Sequence, residues 1–383
     1  MSKLDKTVLA AALACGSLLL LLIVWSRQSG LTGSLASSSA AEQAQTNAAP
    51  ADRSPHIIYS AVDDNGFEQL FLLPLDLAAP DKVAGEARQI TDMPQGIWDF
   101  DVSPVDGAIY FSALKEDGTG DLWRVLPDGG APELILACAD GACADPAVSP
   151  DGALVAFARR TANPFSSPMT SPPRLQLLTP VDGNAYPVFT DSQKLGLEPR
   201  WSSDGRWLSY ASPDPVGVGV YQLESGEEGF FASTTGEGGV WRPGTTQVVV
   251  SDMLEIEERF ETRLYLYDPA TGEQIDLSAH DYPVEDNGAV WSPDGEWLAL
   301  RRKELDGPGA SLSKQLWRMR PDGSEATPLT SDIDPDREID YGIPDWSPDG
   351  RYLVYHRFPL RGPNITISVW LMDVESGEQW LLA

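Results

Sequence analysis

Short runs of apolar residues alternate with turn residues along most of this chain. One turn, Trp-Ser-Pro-Asp-Gly, occurs six times in complete or degenerate form. Each copy is followed by a five-residue run rich in β-branched and aromatic side chains, as in residues 207–211 and 352–356. Runs this short with this composition predict strands rather than helices. The six turns are residues 102–107, 148–152, 201–205, 241–244, 291–295 and 346–350.

The spacing of the turns predicts a repeated unit. Successive turns are 46, 53, 40, 50 and 55 residues apart, which is the period of a supersecondary repeat. Each unit supplies a strand after the turn, a second strand, a tight turn, a third strand, and a fourth strand before the next Trp. Four antiparallel strands per radial repeat predict an all-β fold, the β-propeller. A seventh set of strands at residues 56–60 and 69–73 predicts seven blades. Six blades is the alternative, if that first set only completes the last blade.

The chemistry of the turn explains its residues. Proline presets φ at the corner, Ser and Asp side chains accept hydrogen bonds from nearby N–H groups, and Gly adopts positive φ. The Trp of each turn is expected to fill the gap against the next sheet.

The repeated turn resembles that of the TolB-like β-propeller family, and the resemblance covers residues 54–383. It implies the propeller fold, and it implies that a partner's peptide is received at the channel. No individual TolB contact residue can be matched here. TolB itself carries an added N-terminal domain and a six-bladed ring, so a role in the Tol system is not carried over. A fold of this kind hosts many activities, so the resemblance says little about function.

The first 53 residues differ in composition from the rest. Residues 8–25 form an apolar run of about the minimum length that crosses a bilayer. Lys3 and Lys6 precede it and only Arg27 follows closely, which favours a cytoplasmic N-terminus. The pattern predicts a cytoplasmic stub at 1–7, a transmembrane signal anchor at 8–25, a flexible Ser/Ala/Gln-rich linker at 26–53 and an extracytoplasmic propeller at 54–383. A cleaved secretory signal is the alternative, and Cys15 fits a membrane helix better than a lipidation site.

The net charge of the chain limits the classes of partner that it is expected to bind. Asp and Glu number 57 against 27 Lys and Arg, giving a net charge of −30. Such a chain repels phosphate backbones, so nucleic acid is excluded as a partner. The expected partner is an envelope protein or a basic peptide, although much of this acid is also explained as a solvated, solubilising surface.

Two cysteines lie close together. Cys138 and Cys143 are separated by four residues, a spacing that suits a small disulfide loop outside the cytoplasm. Two free buried thiols are the alternative. Metal binding by this pair is not expected, because no second Cys or His pair completes four ligands.

Three groups of charged residues fall in loops that strand order places on the variable face, at the predicted mouth of the channel. Residues 332–340 carry alternating carboxylates that could supply oxygen ligands to Ca²⁺, although Arg337 replaces the glycine that an EF-hand loop requires. The basic residues could pair with this acid or bind an anionic group. The candidate binding residues are Asp281, Glu285, Asp286, Asp332, Asp334, Asp336, Glu338, Arg301, Arg302 and Arg357, and those for Ca²⁺ are Asp332, Asp334 and Asp336.

Catalytic motifs are scarce in the sequence. There is no Gly-x-Ser-x-Gly elbow, no Gly-rich phosphate loop and no His-rich metal site among three histidines. The sequence therefore predicts a protein that is not an enzyme and needs no cofactor, a binding scaffold that acts through its variable loops and channel mouth. The alternative is a carbohydrate-active or metal-assisted propeller enzyme that uses Asp332, Asp334, Glu285 and Asp286.

Overall fold

The computed structural model describes residues 21–24, 55–139, 141–162, 171–280, 282–306, 310, 313–331, 338–361 and 366–383. Every regular element in these ranges is a β-strand, and the strands form six sheets around a common axis, antiparallel except for one bridge in the second sheet. The predicted all-β propeller is therefore confirmed in architecture.

The sheets follow the order of the chain. The first contains β1 (Leu21–Val24), β2 (His56–Val62), β3 (Glu68–Pro74) and β4 (Arg88–Gln89). The second contains β5 (Ile97–Val102), β6 (Ile109–Leu114), β7 (Gly120–Val125), β8 (Glu133–Leu136), β9 (Gly141–Val148), β10 (Val155–Thr161), β11 (Arg174–Thr179) and β12 (Asn184–Pro187).

The remaining four sheets follow the same scheme. The third contains β13 (Leu197–Trp201), β14 (Trp207–Pro213), β15 (Val216–Gln222) and β16 (Glu228–Ala232). The fourth contains β17 (Val240–Trp241), β18 (Val248–Ile256), β19 (Arg259–Asp268) and β20 (Glu273–Asp276). The fifth contains β21 (Val284–Trp291), β22 (Leu298–Glu304), β23 (Gln315–Met319) and β24 (Thr327–Pro328). The sixth contains β25 (Ile339–Tyr341), β26 (Asp345–Trp346), β27 (Tyr352–Pro359), β28 (Ser368–Asp373) and β29 (Gln379–Leu381).

The predicted number of seven separate blades is wrong, as is the alternative of six. Five sheets are separate blades, four with four strands and one with five, and the second sheet has eight strands. Its halves, β5–β8 and β9–β12, each resemble a blade but are joined by a parallel bridge between Gly120 and Ala142. A methyl group on Gly120 would lie 3.4 Å from the Cys143 carbonyl oxygen, so glycine permits this close approach of two strands.

The predicted transmembrane helix is also contradicted where the structure describes it. Residues 21–24, inside the predicted span, form β1 and pair with Tyr59–His56 of β2. No helix in the described part of the chain is long and apolar enough to cross a bilayer. A Leu-Leu-Ile-Val run is compatible with a buried strand as well as with a helix, and periodicity does not separate the two. The rest of the predicted stub, anchor and linker lies outside the described residues.

The sheets close into a ring. The first strand of each sheet, together with β9 and β26, is an innermost strand, and these strands contact one another in cyclic order, with β1 touching both β5 and β26. Between the first and last sheets, an apolar cluster contains Ile57 and Leu73 from one side and Val354 and Leu371 from the other.

The turns have the hydrogen bonds expected of them. In residues 148–152, the backbone N–H of Leu154 donates to Ser149 Oγ at 2.9 Å and that of Ala153 to Asp151 Oδ1 at 3.0 Å, while Gly152 has φ of 71°. The Trp of the turn contacts the preceding sheet rather than the next one, since Trp201 Nε1 donates to the carbonyl oxygen of Ala147 at 2.9 Å.

Cys138 and Cys143 form a disulfide in the structure. It spans the connection between β8 and β9, so it lies where the two halves of the eight-stranded sheet are joined. Both cysteines are buried in an apolar cluster.

Candidate functional site on the innermost strands

A repeated position on the innermost strands carries the acidic residues of the candidate site. It lies four residues before the serine of each turn, or before Arg242 in the fourth turn, and a β-bulge shifts the register there in four of the units. Three successive units have an acid there and the later units do not. The acids are Asp99, Asp145 and Glu198, here called the carboxylate arc, and the later residues are Gly238, Gly288 and Ile343.

The carboxylate arc links consecutive units through hydrogen bonds. The backbone N–H of Asp145 donates to Asp99 Oδ2 at 2.7 Å, and that of Glu198 donates to Asp145 Oδ2 at 3.1 Å. The backbone N–H of Gly238 donates to Glu198 Oε2 at 3.2 Å. Asp145 and Glu198 have positive φ at their bulges, 55° and 50°. Each carboxylate therefore reaches the innermost strand of the next unit.

The members of the carboxylate arc differ in their electrostatic surroundings. Burial, and then the negative charge of Asp145, raise the pKa of Asp99 to about 8. Burial also raises the pKa of Glu198, with further contributions from Asp145 and Glu237, against the opposing effects of the Gly238 N–H and Arg200. Asp145 thus lies between two carboxyl groups that keep their protons to higher pH than an exposed carboxyl group does.

Asp145 and Glu198 are the accessible members of the arc. Asp99 is buried and also accepts a hydrogen bond from Ser112 Oγ. Asp145 and Glu198 are half-buried, and a backbone N–H of the next unit donates to one oxygen of each. The side chains of these two residues are the ones that a ligand could meet.

An exposed aromatic side chain stands beside the arc. Trp98 is the additional residue of the bulge between Ile97 and Asp99, and it is 57% exposed although it lies on an innermost strand. Bulges commonly re-aim a side chain next to a functional site. An exposed indole of this kind can stack against the ring of a ligand.

In the fifth sheet, basic residues lie beside the same repeated position. Arg301 pairs with Asn287 across β22 and β21, and a methyl group on Gly288 would lie 3.2 Å from Arg301 Cδ. Lys303 and Lys314 flank Arg301, and the three are here called the cationic cluster. Its ion pairs are Arg301 Nη2 to Asp340 Oδ1 at 3.4 Å, Lys303 Nζ to Glu285 Oε2 at 3.8 Å and Lys314 Nζ to Glu285 Oε2 at 3.9 Å.

The residues predicted from the sequence fall into different environments. Asp286 and Arg302 form a buried bidentate pair, with Nε to Oδ1 at 2.7 Å and Nη2 to Oδ2 at 2.6 Å, so they hold the fifth sheet together rather than face a ligand. Arg357 packs its guanidinium over Trp370. Glu338 Oε2 is 2.8 Å from Arg361 Nε. Glu285 and Arg301 lie in the cationic cluster, while Asp281, Asp332, Asp334 and Asp336 lie outside the described residues.

The residues of the predicted Ca²⁺ site lie outside the described residues. Where side chains are described, no three His, Cys, Asp or Glu residues are grouped so that they could hold a metal ion. Binding of Ca²⁺ by Asp332, Asp334 and Asp336 stays a prediction.

The sequence analysis missed the carboxylate arc, although a signal for it exists. Aligning the six turns and reading four residues back from each serine would have shown Asp, Asp and Glu in succession. Lys314 was missed because it precedes β23 and reaches the site only through the fold.

Comparisons with known proteins show what this chain is similar to. No family model matches the chain. It is 26% identical over 216 residues to an uncharacterized peptidase, YuxL, of Bacillus subtilis, covering 55% of this chain and 29% of the relative. It is 31% identical over 163 residues to the uncharacterized protein Atu1656 of Agrobacterium fabrum, covering 41% of this chain and 51% of that protein. The chain thus spans about half or less of the length of these relatives.

Solved structures agree on the fold. A puromycin-hydrolyzing peptidase of Mycobacterium tuberculosis superposes with a TM-score of 0.59 at 15% identity, covering 87% of this chain and 52% of the peptidase. An oligogalacturonate lyase in complex with manganese superposes with a TM-score of 0.53 at 12% identity, covering 85% of this chain and 83% of the lyase. The propeller domain of the Trilobed protease of Pyrococcus furiosus superposes with a TM-score of 0.50 at 16% identity, covering 72% of this chain and 82% of the domain.

The resemblance to TolB-like β-propellers is confirmed at the level of the fold. The expectation that the chain is not an enzyme is contradicted, because the similar proteins include peptidases and a lyase. The expectation was wrong because the absence of motifs typical of α/β enzymes does not exclude catalysis by other residues on a fold that hosts many activities.

Proposed function

We propose that this chain is a propeller enzyme that cleaves carbohydrate by acid–base chemistry at the carboxylate arc. The observation that carries the proposal is the position of Asp145 between Asp99 and Glu198, whose pKa values are both raised. Neighbouring carboxyl groups with separated pKa values are the usual basis for assigning an acid and a base. The similar lyase supports a carbohydrate substrate, since the chain covers most of that protein.

The residues have distinct roles in this proposal. Glu198, which keeps its proton to higher pH, protonates the leaving oxygen of the glycosidic bond. Asp145 acts as the base that removes a proton from the water attacking the anomeric carbon, while the bond to the leaving oxygen breaks. Trp98 supports the sugar ring by stacking, and buried Asp99 positions Asp145 through the hydrogen bond to its backbone N–H.

The test is turnover by the full chain on a panel of neutral and acidic oligosaccharides, with and without Mn²⁺ and Ca²⁺. Asp145→Asn and Glu198→Gln should each lower kcat by about 10²-fold or more, since general acid–base groups contribute that much. Product release would be measured by chromatography of the reducing ends.

A matched control separates catalysis from structure. Asp101 lies on the same innermost strand as Asp99 and accepts a hydrogen bond from the Val148 N–H at 2.7 Å, so it also links two units. Asp101→Asn should lower stability but leave turnover per folded molecule unchanged. Equal loss of turnover in Asp101→Asn and Asp145→Asn, or no turnover of any sugar by the wild-type chain, would contradict the proposal.

A second function is favoured by a different observation, the 26% identity with a peptidase. In that case the propeller would screen peptides for a peptidase. Peptide binding by the full chain tests this function, because peptide binding that survives Asp145→Asn, with no turnover of any sugar, would favour it over the first.

Export to an oxidising compartment is proposed from the disulfide. The disulfide between Cys138 and Cys143 supports an oxidising compartment, where such bonds persist. Fractionation of cells that produce the full chain would test the location.

A further inference from the structure

The cationic cluster groups three positively charged side chains in a strongly acidic chain. Within the described residues, the ion pairs of Arg301, Lys303 and Lys314 involve two carboxylates, those of Asp340 and Glu285. Both lysine nitrogens are 3.8 to 3.9 Å from one Glu285 oxygen, which is beyond hydrogen-bonding distance. The lysines are therefore held near a carboxylate without donating to it.

Strand geometry collects these cations on one face of the fifth sheet. Arg301 and Lys303 alternate on β22 and so point to the same face, while Arg302 between them points to the opposite face and pairs with Asp286. Glu285 and Asn287 on β21 are their cross-strand partners on that face. The cluster thus stands apart from the buried pair that holds the sheet together.

Two polar atoms beside the cations have no hydrogen-bond partner in the described part of the chain. These are Arg301 Nε and Asn287 Oδ1, and both are buried. A buried polar atom without a partner carries a free-energy cost, which a ligand or water can remove. The side chains remain reachable, since Arg301, Lys303 and Lys314 are 17%, 21% and 20% exposed. Burial and the charges of Arg301 and Lys303 lower the pKa of Lys314, which is what crowding of cations produces.

We propose that the cationic cluster is a subsite that binds the carboxylate group of an acidic sugar in the substrate. The inference rests on the proposed function, and it adds the substrate class, a uronic acid oligosaccharide. Gly288, which lies beside Arg301, occupies in the fifth sheet the repeated position that carries Asp99, Asp145 and Glu198 in the earlier units. A sugar chain lying across the axis would meet the arc with one residue and the cationic cluster with another.

The experiment compares binding of an acidic oligosaccharide with binding of its neutral methyl ester, using calorimetry on the full chain. The free acid should bind about tenfold or more tightly than the ester, since a hydrogen bond to a charged group contributes about 1.5–3 kcal/mol. Raising the salt concentration should weaken binding of the acid and leave the ester unchanged.

Variants locate the effect. Lys303→Met and Lys314→Met keep the apolar stem and remove the charge, and each should reduce affinity for the acid about tenfold without changing affinity for the ester. Lys82→Met is the control, because Lys82 lies in the first unit over Trp380 and outside the cluster. Thermal unfolding of each variant would show that it is folded.

Each other outcome has a defined meaning. Equal binding of acid and ester, or variants that bind the acid as tightly as wild type, would overturn the subsite. Binding of poly-glutamate or inorganic phosphate in place of the acidic sugar would also overturn it. Acid binding at the cluster without turnover would leave the subsite standing and remove the proposed enzyme function. Turnover of neutral sugars alone would leave the proposed enzyme function standing and remove the subsite.

Discussion

Asp99 is a buried acid whose surroundings disfavour its charge. Ser112 Oγ and the Asp145 N–H donate hydrogen bonds to it, and these favour the ionised form. Burial and the nearby charge of Asp145 act in the opposite direction and prevail, so the pKa is raised to about 8. The innermost strands therefore contain a group that is protonated when folded and ionised when unfolded at neutral pH.

The raised pKa of Asp99 predicts how stability depends on pH. Between about pH 4, where the unfolded side chain ionises, and about pH 8, the folded state binds the additional proton, so stability contributed by this group falls as pH rises. Below that window the contribution is fully present. Asp99→Asn should give a flatter plot of the urea unfolding midpoint against pH from 5 to 9 than wild type.

The comparison needs a control for surface charge. Asp182 is exposed and bonds only to neighbouring groups of its own turn. Asp182→Asn should show the same pH dependence as wild type, and an Asp99→Asn profile identical to both would rule out the assigned burial effect.

At the level of the element, the turn imposes a backbone conformation that its last residue must adopt. Gly350 has φ of +71°, and its N–H donates to the Ser347 carbonyl oxygen at 2.8 Å. Gly350→Ala should lower the free energy of unfolding by about 1 kcal/mol, because a residue with Cβ is strained in this region. Chemical denaturation would measure the loss.

Gly130 provides the control for this substitution. It lacks positive φ, and a methyl group there meets no atom within 4 Å. Gly130→Ala should be neutral or slightly stabilising, since it only restricts the unfolded chain. A loss in Gly130→Ala equal to that in Gly350→Ala would show that conformation at the turn is not the cause.

Elements governed by local chemistry were predictable from the sequence. The run at 207–211 was expected to be a strand and begins β14, because its alternation and its turn are local signals. The run at 21–24 was misassigned, because an apolar stretch fits a helix and a strand equally well. The eight-stranded sheet was not predictable, since the bridge between Gly120 and Ala142 depends on tertiary approach.

The candidate site shows the same division. The carboxylate arc could be predicted from its constant distance to each turn. Only part of the cationic cluster could be predicted from the sequence. Arg301 and Lys303 are adjacent in sequence to a predicted loop, but Lys314 joins them through pairing of β22 with β23. Asp286 and Arg302 were predicted to contact a ligand, but both are buried and form a structural ion pair.

For the whole molecule, closure of the ring determines whether the sheets unfold together. The first and last sheets share an apolar cluster, and Leu371 of β28 is fully buried in it. Each sheet packs on two neighbours. Loss of one interface therefore exposes the apolar faces of the two sheets that formed it. A closed ring should therefore lose its sheets in one transition, as is usual for a single cooperative unit.

Leu371→Ala tests this closure. Removing a fully buried leucine side chain should lower the free energy of unfolding by about 3 kcal/mol, with tryptophan fluorescence and circular dichroism still reporting one coincident transition. Leu381 on the neighbouring strand is 55% exposed, so Leu381→Ala should change the free energy by less than about 0.5 kcal/mol. Separate transitions in Leu371→Ala would mean that the first and last sheets unfold independently. The carboxylate arc and the cationic cluster, which lie in different sheets, would then not be held at a fixed separation.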